Sequence, residues 1–407
     1  GEWHLYFQHN PVSRGAHNMT WGHAVSRDLL HWEQLGNALF PRSMARGWCF
    51  SGSAIVDKRN DAGFRSGEEP PILAFFSDTD CGECIAYSND RGRTFTYYKN
   101  NPVVKHNGRD PKIIWYAPGR HWVMAVHDEE DQISGIAFYT STNLKDWTRQ
   151  SKLDGYHECA ELFELPVDGN KDNTQWVIFG GDAKYATGTF DGKRFTPEHE
   201  KKQTLHFGRY YASQTFNNPP DGRRIQVGWA QTCGGRTFSQ TFSFPHRLTL
   251  RTTADGVRLF AGPVGEIEKL YKKKHSAKSQ ELTETTPVQL DVSAELLDVR
   301  ATFEVGNAKT VGLDIGGNRV LYDVIEKQLV SPAVEDSAPM TPVNGKVIIR
   351  VLVDRPMLEI IGNDGRVYIT TTRPARGDVK KVRAVAAGGQ AKLLNLEVNE
   401  LESIWKK

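Results

Sequence analysis

"HAVSRDLLHW" (23–32) decides the fold, because the chain returns to its pattern three more times, as "IAYSNDRGRTF" (85–95), "AFYTSTNLKDW" (137–147) and "GTFDGKRF" (188–195). In each copy a β-type run ends in Ser or Thr, an Asp or Asn follows within two residues, and an aromatic comes shortly after. Asp28, Asp90, Asn143 and Asp191 fall 62, 53 and 48 residues apart. A short polar side chain at such a turn hydrogen-bonds the backbone beyond it, while the aromatic packs on the neighbouring strand. Recurrence at about fifty residues is what the blades of a propeller produce. Four unrelated hairpin turns would share so short a motif, so the decision rests on what precedes each copy.

What precedes them is regular. "CFSGSAIVD" (49–57) and "PILAFFSD" (71–78) come before the second copy, and "GRDPKIIWY" (108–116) and "HWVMAVHD" (121–128) before the third. "HECAELFELP" (157–166) and "TQWVIFGG" (174–181) come before the fourth. Each unit reads as two strands, a third ending in the turn motif, and a fourth. A fifth unit follows in "RYYASQTFN" (209–217), "RRIQVGWAQ" (223–231), "FSFPHRLTL" (242–250) and "GVRLFAG" (256–262). The first copy is preceded only by "GEWHLYFQHNP" (1–11), where Trp3, Leu5 and Phe7 alternate with polar neighbours as in a strand. By analogy with "PILAFFSD" it is a second strand, and the expectation is that the first inner strand of the first blade is missing from this chain.

Composition agrees with an all-β reading. Among 407 residues, 37 glycines and 19 prolines punctuate short runs rich in Val, Ile, Phe, Tyr and Trp. No apolar stretch of about 18 residues offers a membrane span. The formal net charge is only +2, and Lys and Arg form no basic stripe, so nucleic acid is not expected as a partner. Cysteines stand at 49, 81, 84, 159 and 233, and an odd count does not suggest a disulfide framework. "CGEC" (81–84) has zinc or redox spacing, but no second ligand pair accompanies it, and a strand-linking turn is the better reading. No metal and no cofactor is expected.

From about 275 the character changes. "KKKHSAKSQELTETTP" (272–287) reads as a polar linker, and the β-runs beyond it as a sandwich, with "NDG" (363–365) as a hairpin turn. The expected architecture is a five-bladed β-propeller over 1–270 followed by a β-sandwich over 271–407.

First strands of propeller blades line a central channel, so polar residues at their starts converge on one funnel. That position holds Arg109-Asp110-Pro111 in the third blade and Glu158-Cys159 in the fourth. Two carboxylates with an arginine beside one form a plausible glycosidase constellation, in which one carboxyl group protonates the leaving oxygen and another faces the anomeric carbon. A strand-start salt bridge and a solvated strand end would use the same residues.

"GRDPKIIWY", "HECAELFELPVDG", "FSGSAIVD", "WGHAVSRDLLHW" and "YYASQTF", in that combination, resemble glycoside hydrolase family 32, the β-fructosidases, and "LVDRPMLEIIGNDGRVYITT" (352–371) is similar to the family's C-terminal sandwich. The resemblance implies a retaining release of fructose from β-fructofuranosides such as levan, inulin or sucrose. Glu158 matches the acid/base and Asp110 the transition-state stabiliser, with Arg109 beside it. Gln8, Phe50, Ser51 and Trp229 match residues that cradle the fructosyl ring. The family's nucleophile is an Asp in a "WMNDPNG"-like segment, which this sequence does not contain, so no residue receives that role and strongly reduced turnover is expected of the chain as it stands. Ala16 stands where the family has an active-site tryptophan, and "ECAELF" replaces "ECPDLF". A fructan- or sucrose-binding protein without turnover, a fructosyltransferase, and an inverting arabinan-cleaving glycosidase are the alternatives. Polymeric fructans lie outside cells, so the substrate implies a secreted or periplasmic protein.

Overall fold

Runs such as "LAFF" (73–76) and "VMAV" (123–126) place apolar side chains on both faces of a strand, which is stable only where both faces are covered. The computed structural model, which describes residues 1–15, 17–42, 46–232, 238 and 240–405, shows how they are covered. Ala16 and Cys233 lie outside the described residues. The chain is nearly all β, a five-bladed propeller followed by a β-sandwich. It divides into two compact units, residues 1–203 with 212–224, and residues 204–211 with 225–407.

The first unit carries four antiparallel sheets in chain order. Strands β1 (Trp3–His9), β2 (Thr20–Ser26) and β3 (Trp32–Leu39) form a sheet of three. A sheet of four follows, made by β4 (Cys49–Val56), β5 (Ile72–Asp78), β6 (Gly82–Ser88) and β7 (Thr96–Tyr97). The third has β8 (Gly108–Tyr116), β9 (His121–Asp128), β10 (Gly135–Ser141) and β11 (Thr148–Asp154). The fourth group, β12 (Glu161–Val167), β13 (Asn170–Phe179), β14 (Lys184–Phe190) and β15 (Phe195–Pro197), pairs in chain order within a larger sheet. The opening stretch is a strand, paired along its whole length with β2.

Neighbouring sheets pack face to face and share cores. Met124 and Val126 on β9 join Leu73, Phe75 and Ile85 of the preceding sheet, while Val123 and Ala125 join Leu162, Ile178 and Phe190 of the next. The middle strand thus alternates between two cores, so both of its faces are apolar.

The repeated turn uses one device four times, reaching two and three residues ahead at Asp28, Asn143 and Asp191 and three and four ahead at Asp90. Asp28 Oδ1 accepts the backbone N–H groups of Leu30 and His31, Asp90 Oδ1 those of Arg93 and Thr94, Asn143 Oδ1 those of Lys145 and Asp146, and Asp191 Oδ1 those of Lys193 and Arg194. Against a burial penalty, hydrogen bonds bring both carboxyls down to about 2, led at Asp28 by the His31 N–H and ring and at Asp90 by the Ser88 and Thr94 hydroxyls. Leu29 and Leu144, one residue further on, both have positive φ, of 64° and 63°. In these two turns the aromatic then closes the loop, Trp32 and Trp147 each donating the indole N–H to that leucine's carbonyl.

First strands meet side by side. Ser53 on β4 donates to Pro111 O at 2.9 Å and accepts the Ile113 N–H at 3.0 Å, both on β8. Lys112 on β8 and Glu161 on β12 form an ion pair at 2.7 Å, with the two side chains 1% and 0% exposed. Lys112 also donates to Thr215 O at 2.8 Å, and the Thr215 hydroxyl donates to Glu161. Desolvation lowers the Lys112 pKa in spite of its partner. The pair therefore sits in a low-dielectric centre where neither charge tolerates losing the other.

The second unit corrects one expectation. Residues 272–287 are no linker, since Tyr271–Ala277 is a strand paired antiparallel with Ala391–Leu401, and Gln280–Leu282 pairs with the same strand. Its lysines look like linker composition because this is the edge of the sheet, where Lys274 pairs with Glu397 at 2.7 Å and His275 with Glu400 at 2.7 Å. The sandwich core is built by alternation, with Val299, Ala301, Phe303, Val347, Ile349, Val351, Leu396 and Val398 inward. Asn363–Gly365 turns the chain between Met357–Gly362 and Val367–Thr372, as its sequence requires, with all three residues at positive φ. His206–Gly208 adds to this sheet in parallel with Val367–Thr372.

Glu161→Gln removes one member of the central pair and leaves Lys112 buried with only Thr215. The variant is expected to lose about 3–5 kcal/mol, read as a lower urea midpoint. Lys112→Met combined with Glu161→Leu should recover most of that loss. A single variant as stable as the parent would show that the pair carries no such weight.

Candidate active site

The start of β8 is irregular. Pairing with β9 breaks between Arg109 and Lys112, and Asp110 has φ +67°. Just before β12, Glu158 and Cys159 have φ +42° and +44°. Between Cys49 and Gly52 the pairing of β4 with β5 also shifts, at Phe50-Ser51. Bulges and left-handed non-glycine residues cost about 1–3 kcal/mol each, and they cluster where a fold must aim side chains. Here they fall on the residues that the sequence singled out.

Asp110 is 4% exposed. Its Oδ2 accepts the Cys159 N–H at 3.0 Å, so the third sheet grips the fourth through a carboxylate and a backbone amide. Its own N–H donates to Ser77 Oγ at 2.8 Å. Burial pushes the Asp110 carboxyl up to about 6; the Cys159 N–H opposes this, and the neighbouring charge of Glu158 adds to it. Arg109 donates Nε–H to Glu158 Oε1 at 3.0 Å and closes the pair with a second guanidinium nitrogen. Both Arg109 and Glu158 are partly exposed, at 26% and 23% of their side chains. Glu129 Oε1 lies 3.7 Å from the same guanidinium.

Behind Asp110 runs a buried relay that sequence reasoning missed. Ser77 Oγ donates to Glu83 Oε2 at 2.8 Å, Glu83 Oε1 lies 2.9 Å from His106 Nε2, and His106 Nδ1 lies 3.3 Å from Asp128 Oδ2. Both ring nitrogens of His106 face carboxylates, so both carry protons. Those two partners outweigh the burial penalty and raise the His106 pKa. The signal was present in "CGEC", whose weight lies on Glu83 and not on its cysteines. Cys81 and Cys84 have Sγ atoms 3.6 Å apart, across the β5–β6 turn and beside Asp78. Asp78 itself is held by Arg42 at 2.7 Å.

The other expected residues are placed as follows. Gln8 is the last but one residue of β1, its amide donating to Cys49 O at 3.0 Å. Phe50 is half-buried and its carbonyl accepts the Trp21 indole N–H at 2.9 Å, while Ser51 is half-buried beside it on the bulge. Cys49 is registered opposite Asp78, one residue from the Ser77 that holds Asp110. Gln8, Phe50 and Ser51 therefore belong to the same edge of the strands as Asp110, Arg109 and Glu158. Trp229 lies in the other compact unit, on Arg224–Ala230, 39% exposed and edge-on to Tyr211 with ring centroids 6.2 Å apart.

Arg109, Asp110 and Glu158 thus come together at the start of β8 and just before β12. Two family models cover the chain, the glycosyl hydrolases family 32 N-terminal domain over residues 1–263 and the family 32 C-terminal domain over 266–400, and the protein belongs to glycosyl hydrolases family 32. It is 36% identical to a levanase of Bacillus subtilis, with all of this chain and 67% of that protein aligned. It is 28% identical to an extracellular exo-inulinase of Aspergillus niger, over 100% of this chain and 91% of the relative. The solved exo-inulinase of Aspergillus awamori superposes with a TM-score of 0.88 at 25% identity, covering 99% of this chain and 94% of that one.

Asp110 binds its proton more tightly folded than unfolded. Its ionisation therefore opposes folding above its folded value of about 6 and has no effect below about 4. Asp110→Asn should raise stability at pH 7 by about 2–3 kcal/mol. The gain should shrink as pH falls and vanish near pH 4. Urea unfolding of the two proteins at pH 4, 5.5 and 7 checks it, and a difference independent of pH would contradict the assignment.

Proposed function

We propose that the protein is a retaining β-fructosidase that releases fructose from β-fructofuranosides such as levan, inulin or sucrose. The carrying observation is the grouping of Glu158, Arg109 and Asp110 at strained strand starts, with Gln8, Phe50 and Ser51 on the same edge. The names of the levanase and exo-inulinase relatives support the substrate class. The extracellular exo-inulinase relative supports a protein that works outside the cell. Meeting of the two family models between residues 263 and 266 supports a propeller through 270 and a sandwich over 271–407.

In this reading Glu158 protonates the leaving oxygen and later takes the proton of the attacking water. It has to give up part of the Arg109 contact to do so, which couples the acid step to sugar binding. Asp110, buried and fixed by two hydrogen bonds, accepts from fructosyl hydroxyls, and these interactions strengthen as the ring flattens and gains positive charge. Gln8, Phe50 and Ser51 shape the fructosyl subsite, with an apolar ring face against the sugar and polar atoms on its hydroxyls. A retaining mechanism also needs a nucleophilic carboxylate, and no residue here is given that part.

Binding and turnover test different parts of this reading. A fructose-terminated oligosaccharide titrated into the protein should quench tryptophan fluorescence saturably. Asp110→Asn and Arg109→Ala should each weaken that binding by about tenfold or more, the loss of a charge-assisted hydrogen bond being about 1.5–3 kcal/mol. No saturable binding of levan, inulin or sucrose fragments would overturn the substrate class. Released fructose abolished by Glu158→Gln would identify a hydrolase, and binding without release a fructan-binding protein. Fructose appearing on other sugars would identify a transferase.

A further inference from the structure

The mechanism above leaves the two thiols of "CGEC" unused. β5 ends at Asp78, the chain turns through Thr79, Asp80 and Cys81, and β6 begins at Gly82, registered opposite Asp78. The Cys81 N–H closes the turn on Asp78 O at 3.2 Å. Gly82 has φ +116°, and a Cβ there would meet Val104 O at 2.5 Å, so the bend needs glycine. Cys81 and Cys84 pack on one apolar core, with Trp21, Leu39 and Phe76, and their Sγ atoms lie 3.6 Å apart. Glu83 between them takes the other face of the strand, toward Ser77 and His106.

Asp78 is the third donor within reach of the sulfurs, but the Arg42 guanidinium holds both of its oxygens, at 2.7 and 3.0 Å. The sulfurs are left to each other and to Gly82 O, 3.5 Å from Cys84 Sγ. Their surroundings differ. Cys81 is half-buried, whereas Cys84, like Cys49 and Cys159, is buried. Burial raises the Cys81 thiol, the Cys84 hydrogen bond and the Arg42 charge oppose this, and Asp78 adds to it. Burial raises the Cys84 thiol as well, and there the Cys81 sulfur works in the same direction. An order of reaction follows. Cys81 ionises and meets reagents first, while Cys84 keeps its proton until the neighbouring sulfur is attacked.

We infer that Cys81 and Cys84 are an oxidisable pair that closes reversibly to a disulfide within one β-hairpin. A bonded pair stands about 2.05 Å apart, so the sulfurs have about 1.5 Å to close, within the sweep of a side-chain rotation at Cys81. The oxidant is a low-molecular-weight disulfide. The Cys81 thiolate attacks one of its sulfurs, which forms a mixed disulfide and releases one thiolate. Cys84 gives its proton to that thiolate and attacks Cys81 Sγ. The protein's S–S bond forms as the mixed one breaks, and the second thiolate leaves to be protonated by solvent. Two electrons pass from the cysteines to the oxidant, which departs as two thiols. The bond fastens the tip of the hairpin that carries Ser77 and Glu83, the pair behind Asp110. Its value to the site rests on the role given to Asp110; the bond itself does not.

The test exposes reduced, folded protein to oxidised glutathione, then quenches with acid, unfolds and alkylates. Cleavage after Lys and Arg puts both cysteines on one peptide, 66–91, separate from Cys49, Cys159 and Cys233. That peptide should lose both alkylation sites and weigh less than its reduced form by two hydrogens, and dithiothreitol should restore it. Cys49 and Cys159, both buried, should remain open to alkylation after unfolding. Cys84→Ser should stop at the mixed disulfide, with one glutathionyl group on Cys81. Cys81→Ser should take up none on Cys84. Protein unfolded in urea confirms that the oxidant is active. A bond that forms only after unfolding, or a folded parent that halts at the mixed disulfide, overturns the pair.

Discussion

One hydrogen bond organises the site, from the Cys159 amide to the buried carboxylate of Asp110. It joins the start of the third blade's first strand to the approach of the fourth's, and both ends hold left-handed backbone that an isolated strand would not adopt. Arg109 and Glu158 flank this contact, so their ion pair depends on it. Behind it Ser77, Glu83 and His106 fix the rear of Asp110 in a largely buried line. The carboxylate is held so that only its chemistry, and not its position, is free to change.

Such a centre is unfavourable on its own terms. Asp110 is buried with its proton affinity raised, the backbone around it is strained, and Lys112 and Glu161 bury opposite charges a few residues away. The apolar cores shared between successive blades offset these costs. Met124 and Val126 face one core, Val123 and Ala125 another, and the central strands are anchored from both sides. Rigidity of that kind lets a carboxylate stay poised where transition-state charge develops instead of relaxing toward solvent.

The architecture was legible because it rests on local rules repeated in order. Asp28, Asp90, Asn143 and Asp191 each hold their turn through a carboxylate or amide oxygen on nearby N–H groups, a bond that needs nothing beyond four or five residues of chain. The "NDG" turn is of the same kind. The segment at 272–287 misled because edge strands carry lysines for solubility, and composition alone cannot tell an edge strand from a linker. "CGEC" reads as a strand-linking turn and lies at the turn from β5 to β6, but the buried Glu83 between its thiols carries a contact to Ser77 that cysteine spacing gives no sign of.

By itself the sequence determined the strand order, the turns, the blade repeat, and the presence of Arg109, Asp110 and Glu158 at strand starts, because period-two patterning and turn chemistry act over a few residues. Only the tertiary structure decided which side chains meet. Asp110 reaches Cys159 across 49 positions, Lys112 reaches Thr215 across 103, and His127 meets His157 from a neighbouring blade. Proton affinities followed from those meetings, since burial and the approach of distant charges set them, and no local stretch of chain contains either.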